Sequence, residues 1–279
     1  MSSYSSRRLV DRVVRGMCLG ATILAFVPLV SILLFVGREG IKGLSWSFFT
    51  HLPTPVGEPG GGVANAIVGT LTIVALACTM AIPAGILAGV YLNEFGGGKL
   101  ARLVRFVADV LAGVPSIVVG MFVYAIVVIP MKRQSAIAGS IALAILMLPT
   151  ITRTTEELLK LVPNALREAA LALGVPRWRA ILRVVVRTAL PGIATGIVLA
   201  VARATGETAP LLFTSANNQH WADGIDQPTA SLTVQIFQYS VSPYDDWHQQ
   251  AWAAALVLIL FVLVMNVIAR VLVRHRVSR

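Results

Sequence analysis

The amino-acid sequence predicts an all-α membrane protein that crosses a bilayer six times. Three observations lead to this prediction: 56% of the 279 residues are hydrophobic, only 13% are charged, and long apolar runs recur along the chain. A soluble domain usually has about 45–50% apolar and about 25% charged residues. The composition excludes a disordered chain, a coiled coil and a nucleic-acid-binding tail, because each of these needs many more charges.

Six apolar runs are candidates for membrane-spanning helices, since a helix needs about 20 consecutive apolar residues to cross the hydrocarbon core. In chain order they are residues 17–37, 63–92, 110–130, 135–152, 188–213 and 249–269. We expect the first run to be a retained helix and not a cleaved signal peptide, because it is longer than the apolar part of a typical signal. The predicted membrane domain therefore covers residues 17–272, between an N-terminal segment 1–16 and a C-terminal tail 273–279.

Two pairs of glycines predict where the helices pack closely. Gly85 and Gly89 lie one turn apart in the second run, and Gly192 and Gly196 lie one turn apart in the fifth. Helices in lipid associate through small residues that let their backbones approach. Each pair is therefore expected to face a neighbouring helix.

The basic residues predict the orientation of the chain. With six spans, 18 Lys and Arg residues fall on the side that holds both termini and four fall on the opposite side. Because basic residues are retained in the cytoplasm, we expect both termini of this multi-pass protein to lie there. The same bias accounts for the formal net charge of +10, so no nucleic-acid partner is expected.

The sequence predicts no catalytic centre and no metal site. Residues 96–100 approach a phosphate-binding loop, but Asn93 replaces its first glycine and Leu100 replaces the Ser or Thr that would hold magnesium. Cys18 and Cys78 lie in apolar runs and form no disulfide framework. The four histidines are scattered without metal-ligand spacing: His51, His220, His248 and His275. We therefore expect a chain that is not an enzyme and binds no cofactor, so ATP hydrolysis would need a partner.

The segment of about residues 155–187 is the longest predicted cytoplasmic piece. Pro163 suits the first turn of a helix, and the following alanines and leucines favour its continuation. Gly174 supplies a helix stop, and Pro176 permits a new start two residues later. The pattern predicts a short helix, a tight turn and a second helix that leads into the fifth span.

Within this segment, Glu168, Ala169 and Ala170 are followed by Gly174 after three residues, which resembles the EAA loop of ABC importer permeases. In that family the loop forms a coupling helix that docks on the cytoplasmic ATPase. The resemblance implies a type I importer permease fold and an ATPase contact at these four residues. A solvated amphipathic connector is the alternative.

Arg203 and Glu207 interrupt the fifth apolar run, and their spacing places them on one helix face. Arg203 lies about 15 residues from the cytoplasmic end of this run, which is roughly 22 Å into a core about 30 Å thick. A charge there costs at least about 2.5–3.5 kcal/mol unless it faces protein or water. We therefore expect Arg203 to face the bundle interior and to pair with Glu207, in a helix that Gly206 and Pro210 loosen.

The Arg203–Glu207 pair has a functional and a structural interpretation. A guanidinium group matches the oxygens of phosphate, and a neighbouring carboxylate prevents an uncompensated cation when the pathway is empty. Alternatively, the pair only locks the packing of the helices. A separate ion pair is expected between Arg105 and Asp109 near the cytoplasmic interface, because they lie one turn apart.

Residues 202–214 closely resemble the fifth-helix segment of the permease subunits of phosphate ABC importers. The resemblance extends over most of the chain from the second span onward and includes residues 113–120 and 242–247. It implies phosphate import across the inner membrane of a bacterium, through a heterodimeric pore formed with a second, related permease. It also implies two copies of a cytoplasmic ATPase, which uses ATP and Mg²⁺, and an external phosphate-binding protein. Arg203, Glu207 and Thr208 would belong to the substrate pathway.

Other interpretations remain open from the sequence. The external loop of about residues 215–249 is either a docking surface for the binding protein or a solvated loop. A permease for another oxyanion, such as sulfate or molybdate, would have the same fold. An ion-coupled secondary transporter with Glu207 as proton carrier, and a membrane scaffold that transports nothing, are the other two alternatives.

Overall fold

The computed structural model describes residues 2–55 and 60–277, and this part of the chain contains helices joined by turns and loops, without a β-strand. The helices are α1 (Ser2–Lys42), α2 (Trp46–Thr50), α3 (Ala64–Glu94), α4 (Lys99–Gly113), α5 (Ser116–Met131), α6 (Ala136–Lys160), α7 (Asn164–Ala172), α8 (Arg177–Thr205), α9 (Ala209–Thr214), α10 (Leu232–Ser240) and α11 (Asp245–Val277). Helices α5 and α8 each include a π-helical turn, at Tyr124–Val128 and Ile181–Val185. The predicted all-α fold is confirmed.

Five of these helices are long and apolar enough to cross a membrane, namely α1, α3, α6, α8 and α11. Helices α4 and α5 form a sixth candidate as a bent pair, with an angle of 107° between them. The bend falls at Pro115, whose ring disfavours a helical conformation at Val114. Val114 accordingly has a ψ of 131°, and α5 begins directly after the proline. The third predicted run, 110–130, is therefore not a single straight helix.

Helix α6 lies at the centre of the bundle and contacts α3 along much of its length. A Cβ atom at Gly85 would come within 2.7 Å of the Ile151 side chain, and one at Gly89 within 2.6 Å of Thr155. Only glycine permits this approach, because real Cβ contacts are longer. The predicted role of this glycine pair in close helix packing is confirmed.

Helix α8 packs on another side of α6 and uses the second glycine pair. A Cβ atom at Gly196 would lie 2.3 Å from Thr154, and one at Gly192 would lie 2.9 Å from Leu158. Both glycine pairs therefore pack against the same helix. Together α3, α6, α8 and α9 bury the main apolar core, whose largest members include Ile73, Leu143, Met147, Ile151 and Leu211.

Helix α1 lies at the periphery of the bundle. Gly40 and Gly43, near its end, pack against α11, where Cβ atoms would meet the side chain of Leu256 and the backbone of Gln249. The apolar side chains between Leu9 and Phe35 are exposed along nearly the whole length of the helix. Such a surface suits contact with lipid or with another subunit.

Two predicted elements differ from the observed ones. The fifth run, 188–213, is not one helix: α8 ends at Thr205 and α9 begins at Ala209. Gly206 weakens the helix, and Pro210 has no N–H group to continue it. The region 215–249 also contains a helix, α10, and its final residues belong to α11. The end of the bundle that carries α7 (Asn164–Ala172) is called the α7 end, and the end that carries α10 (Leu232–Ser240) is called the α10 end.

Candidate functional site

The break between α8 and α9 contains the residues that we predicted for the substrate pathway. Arg203 lies in the last turn of α8, Glu207 lies in the break, and Thr208 precedes the first residue of α9. The Nε atom of Arg203 is 4.0 Å from Oε1 of Glu207, the limit of an ion pair. The structure therefore brings the two charges together.

The expected burial of Arg203 inside the bundle is wrong for this chain alone. Its side chain is 71% exposed, whereas that of Glu207 is 19% exposed. Arg203 lies in the last turn of α8, and Glu207 is its only ionic partner among the described residues. A charged side chain within a membrane must face water or protein. Arg203 therefore faces a space that this chain does not close.

The exposed face of α8 near Arg203 is unusual for a membrane helix. Thr188, Thr195, Leu199 and Arg203 are exposed and follow one another at intervals of seven and four residues, which keeps neighbouring members on one face. Three of these four side chains are polar, whereas the exposed face of α1 consists mainly of leucine, isoleucine, valine and phenylalanine. The composition favours contact with water or another protein over contact with lipid tails.

The break is held in place from the side of α10. The hydroxyl group of Thr233 donates a hydrogen bond of 3.0 Å to the carbonyl oxygen of Glu207, which no helix satisfies. In turn, the amide of Leu232 donates to the hydroxyl oxygen of Thr70 on α3, at 2.8 Å. Helix α10 thus ties the break to α3, a connection that the sequence did not predict.

Helix α9 packs against α5 through two residues from the segments that carry the phosphate-importer resemblance. A Cβ atom at Gly120 would lie 2.5 Å from Cα of Pro210. The carbonyl oxygen of Thr208 accepts hydrogen bonds from Leu211 and Leu212 and so begins α9. Residues 113–120 and 202–214 therefore meet beside the break.

A cluster of amide side chains lies at the α10 end. The Nδ2 atom of Asn217 donates to Oε1 of Gln235 at 2.8 Å and also to Gln238. Gln235 is buried, and its Nε2 atom has no hydrogen-bond partner among the described residues. Burial raises the pKa of Tyr239, which stacks on Trp247 with 4.6 Å between ring centroids. Trp247 ends the segment 242–247 that carries part of the family resemblance, whereas the amides belong to no motif and were not predicted.

The predicted helix, turn and second helix at residues 155–187 are confirmed by α7 and the start of α8. The amide of Gly174 donates to Leu171 at 2.9 Å, and that of Val175 donates to Ala170 at 3.2 Å. These two bonds form a Schellman motif, which requires a left-handed residue. Gly174 has a φ of +76° and supplies it.

Helix α7 presents most of its surface to solvent. Glu168 and Ala169 are exposed, whereas Ala170 is buried against the rest of the chain. Large apolar side chains that are also exposed surround the helix: Leu161, Leu166, Leu171, Leu173 and Trp178. An exposed apolar patch of this kind is typical of a protein interface.

Two buried acidic residues support the α7 end, and the sequence reasoning missed both. The Glu156 side chain is completely buried and binds Arg105 at 2.8 Å, Arg153 at 3.3 Å and Lys160 at 2.7 Å. The second acid, Glu94, binds Arg167 of α7 at 3.1 Å. Glu156 and Glu94 each bind a basic side chain that lies far away in the sequence, Arg105 and Arg167 respectively.

The expected ion pair between Arg105 and Asp109 is wrong. Arg105 turns toward Glu156 and also donates to the carbonyl oxygens of Leu92 and Gly96. Asp109 instead pairs with Arg153 on α6. A buried carboxylate and two helix-end carbonyls offer Arg105 stronger acceptors than an exposed Asp109. Among the described residues, no three His, Cys, Asp or Glu side chains cluster as metal ligands.

More than half of the chain matches the model of one protein family. Residues 81–278 match the model for the binding-protein-dependent transport system inner membrane component. The chain belongs to this family. As an inner membrane component with several apolar helices, it is a multi-pass membrane protein.

Relatives within this family share much of the sequence. The phosphate transport system permease protein PstA of Yersinia pestis is 46% identical over 267 residues, which cover 95% of this chain and 90% of the relative. PstA of Haemophilus influenzae is 42% identical, with 97% and 96% covered. PstA 1 of Mycobacterium tuberculosis H37Rv is 39% identical, with 94% and 87% covered. These relatives confirm the resemblance to phosphate importer permeases and identify the chain as a permease subunit and not an ATPase.

Solved transporters share the fold at low sequence identity. A bacterial alginate ABC transporter, in complex with a pentasaccharide-bound periplasmic protein, matches with a TM-score of 0.69 and 14% identity, covering 95% of both chains. The MetNI methionine ABC transporter in an inward-facing conformation matches with a TM-score of 0.62 and 19% identity, covering 77% of this chain and 94% of the other. The fold is therefore that of a type I ABC importer permease.

Proposed function

We propose that this permease forms half of the phosphate pathway in an ATP-driven import complex. The observation that carries the proposal is Arg203, an exposed cation paired loosely with Glu207 at a break in a membrane helix. The PstA names of the relatives favour phosphate over sulfate or molybdate.

Arg203 and Glu207 have complementary tasks in this proposal. The guanidinium group offers planar donors to two phosphate oxygens, and its charge attracts the anion into the pathway. Glu207 competes for the same donors from 4.0 Å away, so that phosphate is held weakly enough to leave. Thr208, at the start of α9, adds a hydroxyl donor beside them. A rearrangement at the break would not unfold α8, which already ends at Thr205, but it would open the hydrogen bond from Thr233 to Glu207.

The pathway needs a second wall, because the α8 face around Arg203 is open. A second, related permease would cover this face and complete a heterodimer. Its polar character suits a water-filled space between the two subunits better than a dry, apolar interface.

The other partners bind at the two ends of the bundle. Two copies of a cytoplasmic ABC ATPase, which use ATP and Mg²⁺, would dock at the α7 end, with Glu168, Ala169, Ala170 and Gly174 at the contact. An external phosphate-binding protein would dock at the α10 end. A groove of about 690 Å³ lies there between the end of α1 and the start of α11, with Lys42, Asp245 and Asp246 on its walls. Both chain termini would lie in the cytoplasm.

Phosphate uptake by the complex reconstituted in vesicles tests the proposal. We expect Arg203→Gln to reduce uptake by at least about 30-fold while the complex stays assembled, since loss of a charged donor costs about 2 kcal/mol or more. Arg38→Gln is the matched control, because Arg38 is exposed at the end of α1 and remote from the break. Uptake at the original rate by Arg203→Gln would refute the pathway role.

The same vesicles separate the alternatives. Transport of sulfate or molybdate in preference to phosphate would indicate another oxyanion permease. Uptake driven by an ion gradient without ATP would indicate a secondary transporter, and a complex that moves no anion would indicate a scaffold.

A further inference from the structure

We infer that Glu94, at the end of α3, is the positioning residue through which the coupling helix α7 moves α3. This inference rests on the proposed function, because it needs an ATPase that acts on α7. It goes beyond that function by naming the connection that carries the movement into the membrane helices.

Arg167 of α7 binds the side-chain carboxylate of Glu94 at the end of α3. Its Nε and Nη2 atoms donate to Oε1 of Glu94 at 3.2 and 3.1 Å. Its other bonds go to the end of α6, the following turn and the start of α7: to the carbonyl oxygens of Leu159 and Val162 and to Oδ1 of Asn164, at 3.1, 2.8 and 3.0 Å. The guanidinium group therefore joins the base of α7 to the end of α3.

This connection is buried and therefore specific. The Glu94 side chain is 8% exposed and that of Arg167 is 19% exposed. Two charges removed from water in this way depend on each other, since loss of either one leaves an uncompensated charge. The link is thus stronger than the exposed ion pairs of the surface, whose contributions are small.

Glu94 also holds the helix that follows α7. The Nη2 atom of Arg177, in the first turn of α8, donates to the Glu94 carbonyl oxygen at 3.0 Å. The Arg177 guanidinium group lies 5.0 Å from the centroid of the Phe95 ring. Glu94 of α3 therefore contacts both α7 and the first turn of α8.

The same end of α3 is tied to two further helices. Arg105 of α4 donates to the carbonyl oxygen of Leu92 at 2.8 Å, two residues before Glu94. Its Nε atom binds Glu156 of α6 at 2.8 Å. A displacement of α7 that pulls on Glu94 would thus reach α3 directly, whereas α6 is bound both by Arg167, through the Leu159 carbonyl oxygen, and by Arg105.

Packing between α7 and α8 is incomplete beside this connection. A cavity of about 280 Å³ lies next to α7 and the start of α8 and is lined by Glu94, Arg167, Leu171, Arg177 and Ile181. Side chains that border a cavity have room to shift. The ionic link, in contrast, has defined partners at both ends and moves as a unit.

The test measures how much phosphate is transported per ATP hydrolysed, in the unaltered complex and in its Glu94 variant. The complex is reconstituted from both permeases, the ATPase and the binding protein. Glu94→Gln keeps the size of the side chain and removes its charge. We expect ATP hydrolysis to persist, while the phosphate transported per ATP falls by about fivefold or more, the lower range of known coupling between sites. Glu157→Gln is the matched control, because Glu157 is exposed at the same end and contacts α7 in no described bond. Arg167→Gln and the double variant should resemble Glu94→Gln, because the two residues act as one pair.

A distance measurement decides the inference without phosphate transport. Spin labels at Ala172→Cys on α7 and Leu87→Cys on α3, in a chain with Cys18→Ser and Cys78→Ser, should keep their separation when ATP binds. In the Glu94→Gln chain the separation should change, because α7 then moves without α3. An ATP-induced change that is the same with and without Glu94→Gln would overturn the inference, as would an unaltered ratio of phosphate to ATP. Failure of the unaltered complex to take up phosphate would contradict the proposed function alone.

Discussion

Glu168 presents an exposed carboxylate on α7 among alanine and leucine side chains. The burial of Ala170 on the opposite side fixes which face of the helix is free. A lone charge beside apolar side chains is expected to select a basic partner group, while the apolar surface supplies most of the contact area.

Glu168→Lys should therefore weaken binding of the ATPase. Reversing the charge replaces attraction by repulsion at a partly desolvated contact, so we expect at least about a tenfold loss in affinity, or about 1.4 kcal/mol. Copurification of the ATPase with the permease complex measures this effect. Glu157→Lys serves as control, since it reverses an exposed charge at the end of α6. Normal copurification and normal ATP turnover in Glu168→Lys would contradict the assignment of the coupling surface.

Single residues also explain which site features the sequence could predict. Gly174 was identifiable as a helix stop because a Schellman motif depends only on residues within one turn. The partners Glu94 and Arg167 are 73 residues apart, and Asp109 and Arg153 are 44 apart. Neither pair has a local signal, and choosing Arg105 for Asp109 by spacing alone gave the wrong partner.

Whole helices are positioned mainly by the two glycine pairs that face α6. Replacing hydrogen by a methyl group at Gly89 would place carbon 2.6 Å from Cβ of Thr155 and 2.8 Å from the carbonyl oxygen of Thr152. Neither contact can be relieved by a flexible side chain, because one involves a branched carbon and the other the backbone of α6. Helices α3 and α6 would have to separate.

Gly89→Ala should consequently destabilise the permease, although alanine favours helix more than glycine does. Overpacking costs about 1–3 kcal/mol, whereas the gain in helix propensity is about 1 kcal/mol at most. Thermal unfolding of the detergent-solubilised protein measures the balance. Gly20→Ala in α1 is the control, because no heavy atom lies within 4 Å of its Cβ position. Equal melting temperatures for both variants would mean that this helix contact does not limit stability.

The positions of the helices could be predicted where apolar composition, glycine or proline determines them. The apolar runs located every long helix, and the residue types around Gly206 and Pro210 indicated a loosened fifth span. The run lengths did not reveal that this loosening is a complete break, nor that α4 and α5 meet at 107°. Both features depend on tertiary packing, such as the contact between Gly120 and Pro210.

At the scale of the whole molecule, several exposed surfaces of the chain are suited to contact with other proteins. It leaves a cation exposed at Arg203, a polar face on α8, an apolar helix α1 and an apolar surface around α7. The family explains this pattern, since a binding-protein-dependent permease works with an ATPase and a binding protein. The exposure of Arg203 could not be predicted from its position in an apolar run, because run length does not show which side chains of the folded chain cover it.

The distribution of charge over the whole molecule makes a last prediction about its orientation. Eighteen basic residues on the side of α7 and the termini, against four on the α10 side, should keep α7 in the cytoplasm. Cysteines introduced singly at Gln219 and Leu173, both exposed, report on the two ends in a chain with Cys18→Ser and Cys78→Ser. In spheroplasts, a membrane-impermeant maleimide should modify Gln219→Cys and leave Leu173→Cys unmodified until detergent opens the membrane. The reverse labelling pattern would mean that the ATPase and the binding protein cannot meet this chain at the ends proposed for them.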